Sequence, residues 1–288
     1  MSKTILITGT SNGFGNDTAR TLKAAGHRVF ATMRDADGRH AEVAKSLQAV
    51  GIETIELDVT SDASVDTAFK TIFEKTDGKL DVLINNAGIA AGGLSETFTP
   101  EQVRAMFEVN VFGLQRVTRA ALPAMHKVKS GLVINIGSIL GRVTLPFFGL
   151  YGATKHAVEA VTDGYRYELS QSGIDVVLIQ PGPYPTQLYT AILNPADLNR
   201  AEMYGDVASL HDGFVAYLGG LFQSAEAPKP HDIAEALLSV INTPSGQRAG
   251  RVVVGLDFGA IAANESIAPI QGQLIDNIGF THLKTLKV

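Results

Sequence analysis

Short apolar runs recur along this chain, and most give way to glycine, an amide or a small polar residue. The runs are Thr4–Thr8 (TILIT), Arg28–Thr32 (RVFAT), Glu53–Leu57, Asp81–Ile84, Leu132–Ile136 (LVINI), Ile174–Ile179 and Arg251–Val254. Continuous apolar stretches of this length are the pattern of parallel strands buried on both faces. Between them lie segments with helical spacing: Thr18–Ala25 closed by Gly26, Gly38–Val50, Ser61–Thr76, the long amphipathic stretch Glu101–His126, a helix opening at Gly149, and Asp232–Ile241. Strands alternating with helices imply a doubly wound α/β fold, a parallel sheet with right-handed crossovers and helices on both faces. No internal repeat or low-complexity stretch interrupts residues 1–288, which read as one domain.

The periodicity breaks from Tyr184 to about Pro230. This segment is rich in Tyr, Leu, Phe and Met and carries Pro185, Pro195 and Pro228. Inserted after the sixth strand, it reads as a mobile helical lid over a site, or as a satellite core without substrate contact. The tail beyond Gly255 is mildly apolar and shows no periodicity.

Ligands of such sheets bind at the carboxyl ends of strands, and there the chain places its distinctive residues. The first run enters Gly9-Thr10-Ser11-Asn12-Gly13-Phe14-Gly15 and then a helix. Glycines let a backbone approach phosphates, and the free N–H groups of a helix start favour negative charge. The second run ends in Met33-Arg34-Asp35. Met33 holds the place where an acid selects a free ribose hydroxyl, and Arg34 suits a 2′-phosphate. In the competing reading Arg34 is a solvated surface charge and Asp35 takes the ribose. Asp58, ending the third run, meets an adenine amino group or caps the next helix. Asn85-Asn86-Ala87-Gly88 end the fourth, Gly137-Ser138 the fifth and Pro181-Gly182 the sixth. Asn110, in the long helix among Met106, Phe107, Val109 and Val111, is a buried amide serving either structure or the site.

Tyr151 and Lys155 stand four residues apart on one helix face. A phenol ordinarily titrates near pH ~10, and a neighbouring cation lowers that value toward acid/base use.

Composition narrows the function. Of 288 residues 45% are apolar and 18% charged, which suits a globular chain with a large core, and the formal charge of −5 argues against nucleic acid. Without cysteine there are no disulfides or thiolate metal sites, and the seven histidines show no ligand-like pairing, so no metal is expected. The apolar start is too short for a signal peptide or membrane span, so a cytoplasmic protein is expected.

Thr8-Gly9-x-x-x-Gly13-x-Gly15, Asp58, Asn85-Asn86-Ala87-Gly88, Asn110, Ser138, Tyr151-x-x-x-Lys155 and Pro181-Gly182-x-x-x-Thr186 stand in the order and spacing of the short-chain dehydrogenases/reductases. The resemblance covers about residues 3–255. RVFATMRD further resembles NADP-preferring members, including some hydroxysteroid and retinol dehydrogenases. The resemblance implies a single Rossmann domain and hydride transfer between NAD(P), with NADP preferred and NAD possible, and a partly hydrophobic alcohol or carbonyl. Tyr151 would exchange a proton with the substrate oxygen, Lys155 would lower its pKa and hold the nicotinamide ribose, Ser138 would bond that oxygen, and Asn110 would position a water. Gly9, Ser11, Asn12, Gly13, Phe14 and Gly15 would cradle the pyrophosphate. Asp58 and Val59 would meet adenine, Asn86, Ala87 and Gly88 would line the cofactor, and Pro181, Gly182 and Thr186 would hold the nicotinamide. Tyr184, between two prolines, is expected to narrow the pocket. A ridge of Ala153, Ala157, Ala160 and Gly164 suits a close helix contact, and the resemblance implies a homodimer or homotetramer. The alternative is a redox-sensing protein that keeps the cofactor site without chemistry.

Overall fold

Seven parallel strands, in the order β3-β2-β1-β4-β5-β6-β7, form the centre of this computed structural model, which describes residues 2–288 apart from the side chains of Tyr189 and Thr190. Met1, the first residue of the expected span, lies outside the described residues. The strands are β1 (Thr4–Ile7), β2 (Arg28–Met33), β3 (Glu53–Glu56), β4 (Val82–Asn85), β5 (Gly131–Ile136), β6 (Ile174–Pro181) and β7 (Arg251–Val254). Alternation along each strand feeds two cores. Ile5, Ile7, Val82, Ile84, Leu132, Ile134, Val177 and Ile179 pack on one face, and Leu6, Leu83, Val133 and Val176 on the other. The first face is covered by α1 (Gly13–Ala24), α2 (Ala41–Gln48) and, later in the chain, the helix His231–Asn242. The second face is covered by α3 (Asp62–Thr76) and by helices at 114–128 and 149–170. Chain order reverses between β1 and β4, the switch point at which such sheets open a crevice.

The long helix departs from a plain α-helix. α4 (Pro100–Phe107) opens with a full capping box on Thr99 and Gln102, a π-helical turn follows at Glu108–Gly113, and α5 (Leu114–Val128) continues. Then come α6 (Gly149–Ser170), α7 (Gln187–Thr190), α8 (Val207–Gln223), α9 (His231–Asn242) and α10 (Ala260–Asn277). The aperiodic tail forms α10, a helix that the apolar spacing did not predict. Only Ala260 and Ile275 of its residues are buried, so most of the helix never had to carry an apolar stripe toward a core. α2 is shorter than expected because the chain first turns through Asp35, at φ 52°. Among the described residues no helix is long and apolar enough to cross a membrane.

Candidate active site

A cleft of about 430 Å³ runs along the carboxyl ends of β1, β2, β4, β5 and β6. Beneath the glycine turn Thr8 joins β1 to β4. Its hydroxyl oxygen accepts from the backbone N–H groups of Asn86 and Ala87, both at 3.0 Å, and Asn86 Nδ2 donates to the carbonyls of Thr8 (2.8 Å) and Gly9 (2.9 Å). This stitching brings the glycine turn against the following strand's end. Gly9 has φ +70°, and a Cβ there would stand 2.8 Å from Ala87 Cα. A Cβ on Gly15 would strike Asn86 Nδ2 at 2.5 Å. Both glycines are therefore required by space, and Gly9 by backbone conformation as well. Ser11, Asn12, Gly13 and Phe14 line the opening, whereas Gly15 stands behind them. Gly13 starts α1, whose first turn holds no acidic residue, so its unpaired N–H groups face an anion-compatible opening. Asn85 points elsewhere: its Nδ2 donates to Thr118 Oγ1 and Asn135 Oδ1, both at 2.9 Å.

At the β2 end Met33 is buried and Arg34 lies exposed on the cleft wall. Asp35 does not line the cleft. Its carboxylate accepts from Arg39 N at 3.0 Å and lies 3.8 Å from the Arg39 guanidinium. Arg39 and His40 join Arg34 on the wall. Sequence reading missed both, since the turn that returns them depends on the positive φ of Asp35. Asp58 Oδ1 accepts from Thr60 N (2.9 Å) and Thr60 Oγ1 (2.7 Å), while Ser61 caps α3. The helix-cap alternative for Asp58 thus falls to Ser61, and Asp58 and Val59 line the cleft.

At the other end the cleft meets Ser138, Tyr151 and Lys155. Lys155 Nζ donates to Ile136 O at 2.9 Å and lies 5.7 Å from the centre of the Tyr151 ring. Burial pushes the Lys155 ammonium down to about 8. Ser138 caps a short 3₁₀ turn, Ile139–Gly141, its Oγ accepting from Leu140 N at 3.1 Å, which leaves the hydroxyl hydrogen able to donate. Asn110, in the π-helical turn, is 2% exposed and lies behind the wall rather than on it. Its Oδ1 accepts from Ile89 N (2.9 Å), and its Nδ2 donates to Ile89 O (2.9 Å) and Thr154 Oγ1 (3.0 Å). Gly88 passes between Asn110 and Lys155, where a Cβ would come 3.4 Å from Asn110 Oδ1 and 3.9 Å from Lys155 Nζ.

Asn86, Ala87, Gly88, Pro181, Gly182 and Thr186 also line the cleft. Tyr184 corrects the expectation of a narrowed pocket. It lines the cleft, but only 1% of it is exposed and its ring stands edge-on to Phe14 at 5.4 Å, so it forms part of the wall instead of filling the opening. Its hydroxyl is buried without a hydrogen-bond partner among the described residues, and burial pushes it up to about 12. Beyond Tyr151 the wall is apolar: Leu140, Leu145 and Phe148 face Leu188, Phe214 and Leu218 from the 184–230 segment. Phe148 and Phe214 meet edge to face at 5.8 Å. Among the described residues Lys155 is the one charged side chain lining the cleft away from the β2–β3 end.

This geometry agrees with comparisons to known proteins. A sequence model of the short chain dehydrogenase family matches residues 3–196. The chain is 39% identical over 183 residues to a 3-ketodihydrosphingosine reductase of Bacteroides thetaiotaomicron, covering 63% of this chain and 64% of that protein's length. It is 32% identical over 250 residues to human retinol dehydrogenase 8, covering 84% and 78%. A short-chain dehydrogenase from Streptomyces avermitilis superposes with a TM-score of 0.78 at 29% identity, over 96% of this chain and 97% of that one. Two ligand-bound structures also superpose with a TM-score of 0.73. A serine dehydrogenase complexed with NADP+ does so at 27% identity, over 87% and 94% of the chains. A 3-ketoacyl-(acyl-carrier-protein) reductase from Brucella melitensis complexed with NADH does so at 26%, over 88% and 96%.

The chain belongs to the short-chain dehydrogenase/reductase family. It is an oxidoreductase with the family's Rossmann-type sheet, and the site suits a nicotinamide dinucleotide: a glycine turn a Cβ would fill, an acid-free helix start, and a cleft extending from there to Lys155.

Proposed function

We propose that this enzyme moves a hydride between NADP(H) and a largely apolar alcohol or carbonyl compound, with Tyr151 as general acid/base. The observation that carries this reading is the convergence of Ser138, Tyr151 and Lys155 on one cleft that begins at the glycine turn. Gly9 and Ser11–Phe14 would hold the pyrophosphate, Asp58 and Val59 the adenine, and Asn86, Ala87, Gly88, Pro181, Gly182 and Thr186 the nicotinamide half, with Gly15 shaping the cradle from behind. When bound, the nicotinamide supplies or accepts the hydride. Tyr151 Oη gives a proton to the developing alkoxide, or takes one from the alcohol. Lys155, a buried cation 5.7 Å from the centre of the phenol ring, would favour the phenolate form of Tyr151 during proton exchange. The Ser138 hydroxyl donates to the substrate oxygen where negative charge develops. Asn110 fixes the Ile89 backbone and Thr154, and through Thr154, whose Oγ1 donates to Tyr151 O at 2.7 Å, the start of α6.

Arg34, Arg39 and His40, with no acid on that wall before Asp58, support NADP over NAD. The apolar wall supports a hydrophobic substrate, as do the names of the ketosphingoid reductase and retinol dehydrogenase relatives. The segment 184–230 serves as the substrate lid of one domain. Ala153 and Ala160, exposed on α6, suit contact with a second copy, giving a homo-oligomer.

The test is Tyr151→Phe. NADPH binding, followed by nicotinamide fluorescence, should persist, while turnover across a panel of apolar ketones and alcohols, followed by NADPH absorbance, should nearly vanish. Turnover within several-fold of the unmutated enzyme would overturn the assignment.

A further inference from the structure

Behind the wall described above lies a buried charged cluster with no counterpart in that mechanism. Its centre is Glu159, 3% exposed, one helical turn beyond Lys155 and two beyond Tyr151 on α6. Its Oε1 accepts from Gln180 Nε2 at 2.5 Å. Its Oε2 accepts from Arg251 Nε at 2.9 Å and pairs with Arg142 Nη2 at 3.0 Å. Arg251 also meets Asp163 Oδ2 at 2.5 Å, and Gln180 Oε1 accepts from Asn264 Nδ2 of α10 at 2.7 Å.

The partners come from separate parts of the site. Arg142 directly follows the 3₁₀ turn that Ser138 caps. Gln180, wholly buried, directly precedes Pro181 and Gly182. Arg251 opens β7, the sheet edge. The Ser138 turn also lies flush on α6: a Cβ on Gly141 would stand 2.8 Å from Glu159 Cγ and 2.9 Å from Lys155 O. Thus one carboxylate is held by donors from the Ser138 turn, the Pro181 segment and β7, while its own helix carries Tyr151 and Lys155. In a buried site such bonds are directional and strong, and the removal of one member leaves the remaining donors unpaired.

We propose that Glu159 is a positioning residue that sets the Ser138 turn and the Pro181–Gly182 segment against Tyr151 and Lys155. It touches neither substrate nor cofactor and acts through Arg142 and Gln180. The proposal rests on the function put forward above, because the distances it fixes matter only where Ser138 and Tyr151 share one substrate oxygen. Misplacement of reacting groups by about 1 Å can cost on the order of 100-fold in rate.

The experiment compares Glu159→Gln, which keeps shape and removes charge, with Asp175→Asn. Asp175 is similarly buried and pairs with Arg248 at 3.0 Å, but sits at the opposite end of β6. Thermal unfolding, NADPH binding, steady-state kinetics and amide hydrogen exchange are measured on each. Both variants should unfold at lower temperature. Glu159→Gln alone should lose at least tenfold in kcat, with NADPH affinity within threefold, and exchange faster over residues 137–143 and 180–182. If it does not fold, Arg142→Met, which cuts only the tie to the Ser138 turn, should lower kcat and speed exchange over 137–143 alone. The proposal is overturned if exchange in these segments is unchanged, or if the two buried-pair variants lose kcat equally. Should the unmutated enzyme turn over no substrate of the panel, the proposed function fails by itself. Exchange still decides the role of Glu159.

Discussion

Asn110 Nδ2 donates to Thr154 Oγ1 at 3.0 Å, so a π-helical turn and the helix of Tyr151 and Lys155 share one hydrogen bond. The same amide holds both backbone groups of Ile89, next to Gly88 in the cleft wall. Asn110→Ala would leave the part-buried Ile89 N–H and C=O without these partners, at about 1–3 kcal/mol for each. The variant should lose roughly 2 kcal/mol or more in denaturant unfolding and at least tenfold in kcat. Unfolding that coincides with the unmutated protein would refute this account of the amide.

Lys155 makes a second prediction, in stability against pH. Burial lowers it from 10.5 to about 8. Below pH 8 the folded and unfolded chains both carry the proton, and the fold bears the whole cost of a buried charge. Between pH 8 and 10.5 the unfolded chain binds the extra proton, so stability rises with pH, and above that window the cost is gone. At about 1.4 kcal/mol per pH unit the gain is on the order of 3 kcal/mol. Urea unfolding of the unmutated protein and of Lys155→Met at pH 7.5 and 10 isolates it. The unmutated protein should gain on the variant as pH rises, and a constant difference would show that the ammonium is not desolvated.

The basic wall at the end of β2 bears on cofactor choice. The enzyme should show a higher kcat/KM with NADPH than with NADH. Arg34→Ala should erase most of that gap, and Arg34→Ala combined with Arg39→Ala should erase the rest. Equal rates with both cofactors before mutation would sink the proposed preference.

Much of this was legible in the sequence because strand ends announce themselves. Gly9 to Gly15, Asn86 to Gly88 and Pro181-Gly182 follow apolar runs, and the structure brings them to one crevice. What stayed hidden depends on chain returning from a distance. Arg39 and His40 reach the wall only through the turn at Asp35, a residue whose sequence suggested a ribose ligand. α10 has no apolar stripe because it buries so little. Glu159 carries no signal in the sequence, since its partners lie 17 residues before it, and 21 and 92 residues after it. The π-helical turn left no mark in the apolar spacing, for its wider winding is supported by Asn110 bonds that span 21 and 44 residues.

That turn also sets a phase. Each residue of an α-helix advances about 100° around the axis, so an extra residue wound into one turn rotates everything after it relative to everything before. Ahead of the turn, Met106 packs with Ala91 and Phe98 beside the 184–230 segment. Past it, Val117, Ala121 and Met125 face the core beneath the sheet. One rod thereby meets two surfaces that a uniformly wound helix would have to choose between. Winding Glu108–Gly113 as plain α-helix with every residue kept would put the two halves out of step, whereas deleting one residue from the turn would let it close as α-helix with both faces kept.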